Sequence, residues 1–183
     1  MKKALFLDRD GVINEDSGYV SKQENFVFID RIFELCQTAQ NLDYLVIIIT
    51  NQAGIARGLY SEADFHKLNN WMIREFQKRD VEISAIYYCP FHPDNGIGDF
   101  KQDSFDRKPN PGMFFKARDE LGINLSRSVF VGDKNSDMTA GRRAGIGKLF
   151  YLKGRYPLAL ENNDVVVNSL IEVKEYFLNH FHS

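Results

Sequence analysis

The sequence has little of what marks several large protein classes. It has two cysteines, Cys36 and Cys89, too few for a disulfide framework and in keeping with a reducing cytoplasm. The longest apolar stretch, Tyr44–Ile49, is far too short to span a bilayer, so no membrane partner is expected. Met1-Lys2-Lys3 leads straight into a strand-like run ending at Asp8, without the longer apolar region and small-residue cleavage site of a signal peptide. The formal net charge is −2, so there is no broad basic field to attract nucleic acid. No repeat, low-complexity tract or linker breaks the chain. What is there is 183 residues, 44% hydrophobic and 26% charged, an ordinary composition with enough length for one domain spanning 1–183. No heptad or long exposed apolar face stands out, so a monomer is expected.

Strand and helix patterns alternate. Residues 3–8 read as a buried strand, and 30–42 carry Ile32, Phe33, Leu35, Cys36 and Ala39 at helical spacing. Leu45–Thr50 is a continuous β-branched run typical of a central parallel strand. Ser61, with Glu62 and Asp64 behind it, opens a helix reaching about Arg79, with Trp71 and Phe76 packing it on the sheet. Ile83–Cys89 is a third strand. Residues 90–111 lose periodicity and read as a long loop, a length often kept for function. Pro111 suits the first position of a helix that Gly122 stops. A strand at 128–131, a helix from 135 or 136 to Gly145, strands at 148–152 and 165–167, and a closing helix at 170–181 complete the pattern. It predicts an α/β fold, a mostly parallel sheet with helices on both faces. Ligands in such folds bind beyond the carboxyl ends of the strands.

Those ends carry one chemistry. Asp8-Arg9-Asp10-Gly11 puts two carboxylates, two residues apart, on one side of a strand end. Such a pair repels unless a cation or proton lies between, and Mg²⁺, which takes oxygen ligands, is a natural solution. Gly11 permits the sharp turn that follows. The second strand ends in Thr50-Asn51-Gln52, a hydroxyl and two amides suited to phosphate oxygens or substrate. Gly54 and Gly58 bracket a turn holding Arg57. The long loop ends in Arg107-Lys108-Pro109, whose lysine can neutralise charge on a transferring phosphoryl group. The fourth strand ends in Gly132-Asp133-Lys134-Asn135-Ser136-Asp137. Asp137, in the first turn of a helix, suits either a capping role or support of a metal ligand. Asp8 is placed to attack phosphorus and Asp10 to move the proton. Alone, an Asp-x-Asp is usually a solvated turn, Thr50 a strand-end hydroxyl, and Lys108 and Lys134 surface charges. Four such elements in order favour catalysis.

The same residues, in order and strand context, resemble the haloacid dehalogenase superfamily. Asp8–Asn14, Gly18-Tyr19-Val20, Thr50–Gly58 and Arg107–Met113 are similar to the histidinol-phosphate and heptose-1,7-bisphosphate phosphatases within it. The resemblance implies a Rossmann-like core with no large cap domain. It implies Asp8 as nucleophile, Asp10 as acid/base, and Thr50 and Lys108 as phosphoryl stabilisers. Mg²⁺ would be held by Asp8, the main-chain oxygen of Asp10 and Asp133. Asp16, Ser17, Gly18, Tyr19, Asn51, Gln52, Ala53, Arg107 and Lys134 would touch a small phosphorylated sugar. The implied reaction removes the 7-phosphate of D-glycero-D-manno-heptose 1,7-bisphosphate, a precursor of lipopolysaccharide core or capsule heptose. The alternatives are hydrolysis of histidinol phosphate or another small sugar phosphate, or a phospho-ligand binding module that has lost catalysis.

One stretch departs from the family pattern. Relatives often hold a zinc ion through a Cys-x-His pair after the third strand and a Cys-x-Cys pair before the Arg-Lys. Here Cys89 remains, but Phe91, Ser104 and Asp106 stand at the other three positions. A structural zinc site wants four well-placed sulfur or nitrogen ligands. No structural zinc is expected, and Phe91, Phe100 and Phe105 are expected to order the loop by packing.

Overall fold

The structure, a computed structural model, describes residues 1–157, 159, 161 and 164–180. Its elements are β1 (Lys3–Leu7), α1 (Ile32–Asn41), β2 (Tyr44–Asn51), α2 (Ala53–Ala56), α3 (Glu62–Gln77) and β3 (Ile83–Cys89). They continue with α4 (Gly112–Leu121), β4 (Val129–Gly132), α5 (Asn135–Ala144), β5 (Lys148–Leu152), β6 (Asp164–Val167) and α6 (Leu170–Asn179). The six strands form one parallel sheet in the order β3-β2-β1-β4-β5-β6. The chain winds outward from β1 in one direction and returns to β4 to wind in the other. The switch between β1 and β4 opens the crevice in which such sheets bind ligands.

Both faces of the sheet are buried, which explains why the inner strands read as unbroken apolar runs. In β1, Leu5 and Leu7 join the core formed with α1, α3 and α6, while Ala4 and Phe6 join the one formed with α4 and α5. The second core is pinned by edge-on rings, Phe6 to Phe114 at 5.1 Å and Phe114 to Phe130 at 5.0 Å. The long β1–α1 connection has no large inserted domain. It is fastened by Phe26 and Phe28, whose rings lie 5.4 and 5.7 Å from that of Trp71. Trp71 thus packs α3 on this connection, while Phe76 is the residue wholly in the core.

The helix ends follow their local chemistry. Ser61 and Asp64 form a reciprocal cap on α3, and Ser169 with Glu172 does the same for α6. Gly122 and Gly145 take the left-handed conformation after α4 and α5. Some boundaries move. β1 stops at Leu7, and Pro111 caps α4 from outside. Residues 53–56 form one helical turn where a plain turn was expected, with Gly54 inside it because a Cβ there would meet the Tyr60 ring at 2.1 Å. The last helix is described to Asn179, and Phe181 lies outside the described residues.

Candidate active site

The register places the candidate nucleophile, Asp8. Leu7 pairs with Ile48 on one side and with Val131 on the other, and the Asp8 N–H donates to the Val131 carbonyl at 3.1 Å. Asp8, Thr50 and Asp133 therefore emerge together from three adjacent strands. Lys108 arrives from the long loop and sits among them, its Nζ 2.9 Å from Asp8 Oδ1, 2.6 Å from Asp137 Oδ1 and 3.0 Å from the Ile49 carbonyl oxygen. Asp8, Lys108, Asp133 and Asp137 are each no more than 4% exposed. Burial pushes the Asp8 carboxyl up, Lys108 opposes this, and Asp137 adds to it. Burial disfavours the ammonium of Lys108, but Asp137 and Asp8 outweigh it and raise its pKa. Asp137 also caps α5, its Oδ2 accepting from the N–H groups of Asp133 at 3.1 Å and Lys134 at 3.0 Å. Of the two roles its sequence position allowed, the capping role is the one these bonds show.

Asp10 is held on a different side of the site. Arg9 Nη2 lies 3.1 Å from each of its carboxylate oxygens, Asn14 Nδ2 donates to Oδ1 at 3.0 Å, and Gln52 Nε2 donates to Oδ2 at 3.1 Å. Arg9 is fully buried and also donates to the Val20 carbonyl at 2.7 Å. Gln52 donates to Thr50 Oγ1 at 2.9 Å and accepts from Tyr60 Oη at 2.5 Å. The Thr50 hydroxyl therefore keeps its own proton for another acceptor.

The cleft in front of these groups encloses ≈ 650 Å³. Of the expected substrate contacts, Asp16, Gly18, Tyr19, Asn51, Gln52, Ala53, Arg107 and Lys134 line it, and exposed Ser17 does not. Two of these residues have prior work. Asn51 forms a reciprocal pair with the Lys108 backbone, donating to its carbonyl and accepting from its N–H, both at 3.0 Å. Gln52 spends its amide on Asp10, Thr50 and Tyr60. Both amides position candidate catalytic groups, a use that sequence alone does not reveal because the partners are up to 57 residues away. On the outer side, Lys134 Nζ meets Asp16 Oδ2 at 3.3 Å and lies 4.7 Å from the Tyr156 ring centre. Tyr156 donates to the same Asp16 oxygen at 3.1 Å. Burial alone would raise the Asp16 pKa, but Lys134, the Gly18 N–H and the Tyr156 hydroxyl outweigh it and lower it. Burial also opposes the charge on Lys134, which Asp8, Asp133 and Asp16 more than restore. Arg9, Asn14, Tyr60, Arg155 and Tyr156 were not expected in the site. The last two follow the carboxyl end of β5, so the same strand-end rule leads to them.

Comparison with known proteins is consistent with this geometry. A protein-family model described as HAD-hydrolase-like matches residues 105–173. The D-glycero-beta-D-manno-heptose-1,7-bisphosphate 7-phosphatase of Vibrio cholerae is 45% identical over 180 residues, which is 97% of this chain and 97% of that protein. The chain belongs to the heptose-bisphosphate phosphatase family of the haloacid dehalogenase superfamily. A D-glycero-alpha-D-manno-heptose-1,7-bisphosphate 7-phosphatase of Burkholderia mallei is 54% identical over 145 residues, 79% of this chain and 77% of its own. The solved D,D-heptose 1,7-bisphosphate phosphatase from B. bronchiseptica, complexed with magnesium and phosphate, superposes with a TM-score of 0.84 at 28% identity, covering 97% of this chain and 99% of that one.

Haloacid dehalogenase phosphatases use Mg²⁺, and the residues here fit a hard divalent cation. Carboxylate oxygens of Asp8, Asp133 and Asp137 lie within 4.8 Å of one another. Those of Asp137 are taken by Lys108 and two backbone N–H groups. Asp133 Oδ1, by contrast, is buried with no hydrogen-bond partner among the described residues. Burial, with Asp8 and Asp137 nearby, pushes the Asp133 carboxyl up to about 9. A group so poorly satisfied as an anion is suited to a cation between itself and Asp8. Gly11, at φ 98°, leaves room for the Asp133 carboxylate, since a Cβ there would fall 2.1 Å from Asp133 Oδ2.

The departure from the family pattern in residues 90–111 has its own set of contacts. The Phe91 and Phe100 rings lie 6.1 Å apart, and Arg107 Nη1 donates to the Phe91 carbonyl at 3.2 Å. His92 Nδ1 accepts from the N–H groups of Asp94 at 3.2 Å and Asn95 at 3.0 Å. The Ile97 N–H reaches the Ala56 carbonyl at 2.8 Å. Ser104 accepts from the Asp106 N–H at 3.2 Å, and Asp106 pairs with Lys116 of α4. Phe105 departs from expectation: it is 61% exposed, with its ring 6.1 Å from that of Phe115. Polar contacts close the segment where that third ring was expected to.

Proposed function

We propose that the chain is a Mg²⁺-dependent phosphomonoesterase that removes the 7-phosphate of D-glycero-D-manno-heptose 1,7-bisphosphate through an aspartyl-phosphate on Asp8. The observation that carries this reading is the buried Asp8–Lys108–Asp137 array at the switch point, with the Asp133 oxygen left free beside it. An Asp8 oxygen attacks phosphorus, and the bond from phosphorus to the sugar oxygen breaks. Asp10, steadied by Arg9, Asn14 and Gln52, gives its proton to that leaving oxygen. Asp10 then takes a proton from a water that attacks the acyl phosphate, releasing inorganic phosphate and restoring the Asp8 carboxylate. Lys108 neutralises the phosphoryl oxygens, and Thr50 offers them the proton that its bond from Gln52 leaves free. The bound cation, held by Asp8, the Asp10 carbonyl oxygen and Asp133, would relieve repulsion between the carboxylate and the phosphate.

The substrate assignment rests on the relatives' identities, and their names cover both anomers. A kinetic panel of the α and β heptose bisphosphates, histidinol phosphate and fructose bisphosphate, each with and without Mg²⁺, tests it. The heptose compounds should give the highest kcat/KM. Preference for histidinol phosphate would replace the substrate reading, and no turnover of any phosphomonoester would favour a silent binding module. The same reading takes the chain as one monomeric domain without structural zinc, set in the cytoplasm. Its two cysteines are buried and unpaired, and no helix among the described residues is long and apolar enough to cross a membrane. One equivalent of zinc retained through purification would contradict it.

A further inference from the structure

Gln52 lies between Asp10 and Thr50, and its amide has two chemically opposite ends. Its Nε2 donates to Asp10 Oδ2 at 3.1 Å and to Thr50 Oγ1 at 2.9 Å, and its Oε1 accepts from the Tyr60 hydroxyl at 2.5 Å. Asp10 enforces this sense of the amide only while it is a carboxylate. Once Asp10 carries the proton meant for the leaving oxygen, a half-turn of the amide brings Oε1 to face both Asp10 and Thr50. Gln52 then accepts the two protons that the leaving oxygen and the phosphoryl group need. Tyr60 opposes that turn. It would break a short hydrogen bond and leave the Tyr60 hydroxyl proton with no acceptor among the described residues. Burial pushes the pKa of this hydroxyl up, Arg9 opposes the shift, and Asp10 and Tyr19 add to it, so the group remains a donor at neutral pH.

The chain between the two residues is built to bring them together. The Gln52 N–H donates to the Cys89 carbonyl at 2.8 Å, tying the residue that leaves β2 to the end of β3. After the single turn of α2, Gly58 reverses the chain at φ 71°, and the Leu59 N–H donates to the Gly54 carbonyl at 2.9 Å. The Tyr60 ring lies against Gly54, where a side chain would not fit. Ser61, the next residue, caps α3 and holds the far side. Gln52 itself is 1% exposed, so solvent has little access to replace the Tyr60 donor.

We infer that Tyr60 is a positioning residue whose hydroxyl fixes the sense of the Gln52 amide, so that Gln52 donates to Asp10 and Thr50 through both halves of the reaction. This rests on the aspartyl-phosphate reading above. The test measures kcat with Mg²⁺ for heptose 1,7-bisphosphate and for acetyl phosphate in wild type, Tyr60→Phe, Gln52→Met and the double variant. Tyr60→Phe should lower kcat for the heptose compound roughly 10-fold with KM little changed. Acetyl phosphate, whose leaving group needs no proton, should lose about 3-fold or less. In the Gln52→Met background the same substitution should change neither rate, because Tyr60 acts only through the amide. Equal losses on both substrates, or a Tyr60→Phe effect undiminished without the amide, would overturn the inference and leave the phosphatase reading standing. The comparison of substrates decides by itself if Gln52→Met does not fold. A wild-type protein that hydrolyses neither compound overturns that reading and the inference together.

Discussion

The two ends of the cleft are built on different principles. At the inner end, Asp8, Thr50, Asp133 and Asp137 are placed by backbone hydrogen bonds and strand register, and they are buried. At the outer end, Asp16, Lys134, Arg155 and Tyr156 are placed by side chains reaching between loops, and they are partly open to solvent. The inner end resists displacement and suits chemistry common to a superfamily. The outer end can change with single substitutions that leave the sheet untouched, which suits the choice of substrate.

Substitutions separate the two ends, and the largest effects belong to the inner one. Asp8→Asn should cut turnover by roughly 10⁴-fold or more, read as phosphate release. Its melting temperature should equal or exceed that of wild type, because burial and Asp137 already disfavour the Asp8 charge. Retained turnover would refute the covalent route. Lys108→Met should lower kcat by roughly 10²- to 10³-fold. Unlike Asp8→Asn, it should also destabilise the protein, by about 3–5 kcal/mol in urea unfolding, because two buried carboxylates lose their shared cation. Arg9→Lys loses the Nη2 contact shared by both Asp10 oxygens and should slow sugar-phosphate hydrolysis roughly 10- to 100-fold. Acetyl phosphate, whose leaving group needs no proton, should suffer much less; equal losses would mean that Arg9 acts on the fold at large. Tyr156→Phe, at the outer end, should raise KM by roughly 2- to 10-fold with kcat little changed.

Titration probes the inner end without mutation. The folded pKa of Asp133 is raised to about 9, against roughly 4 in an unfolded chain. The metal-free protein should therefore lose stability as pH rises from about 4 toward 9, because the unfolded chain releases this proton first. Mg²⁺ competes with that proton, so its stabilising shift in melting temperature should grow with pH over the same window. A shift that is flat or shrinking between pH 6 and 8.5 would remove Asp133 from the cation site.

The inner end was largely legible in the sequence because register makes it so. Strand ends are visible as apolar runs that stop, and Asp8, Thr50 and Asp133 stand at three of them. The α/β alternation gave each strand and major helix to within a few residues. The one-turn α2 was missed because four residues carry no helical period. What the side chains do to one another was far less legible. Asn51 and Gln52 read as free amides, yet each is occupied by partners fixed only by the tertiary fold. Arg9 carried no assigned role in the sequence, and its burial against Asp10 and Val20 depends on where the following loop returns. Phe105 was expected to help order the loop by packing, but it is exposed, and Ser104, Asp106 and Arg107 make polar contacts beside it.

The meeting of three carboxylates with one lysine has a consequence for electroneutrality. With all four ionised, the inner pocket carries two surplus negative charges, the complement of one divalent cation. Loaded, it is neutral, and an arriving phosphate dianion meets no net repulsion. Its charge then has to be balanced by the cations along the cleft, so the inner pocket can accept the phosphoryl group while the outer rim selects the molecule that brings it.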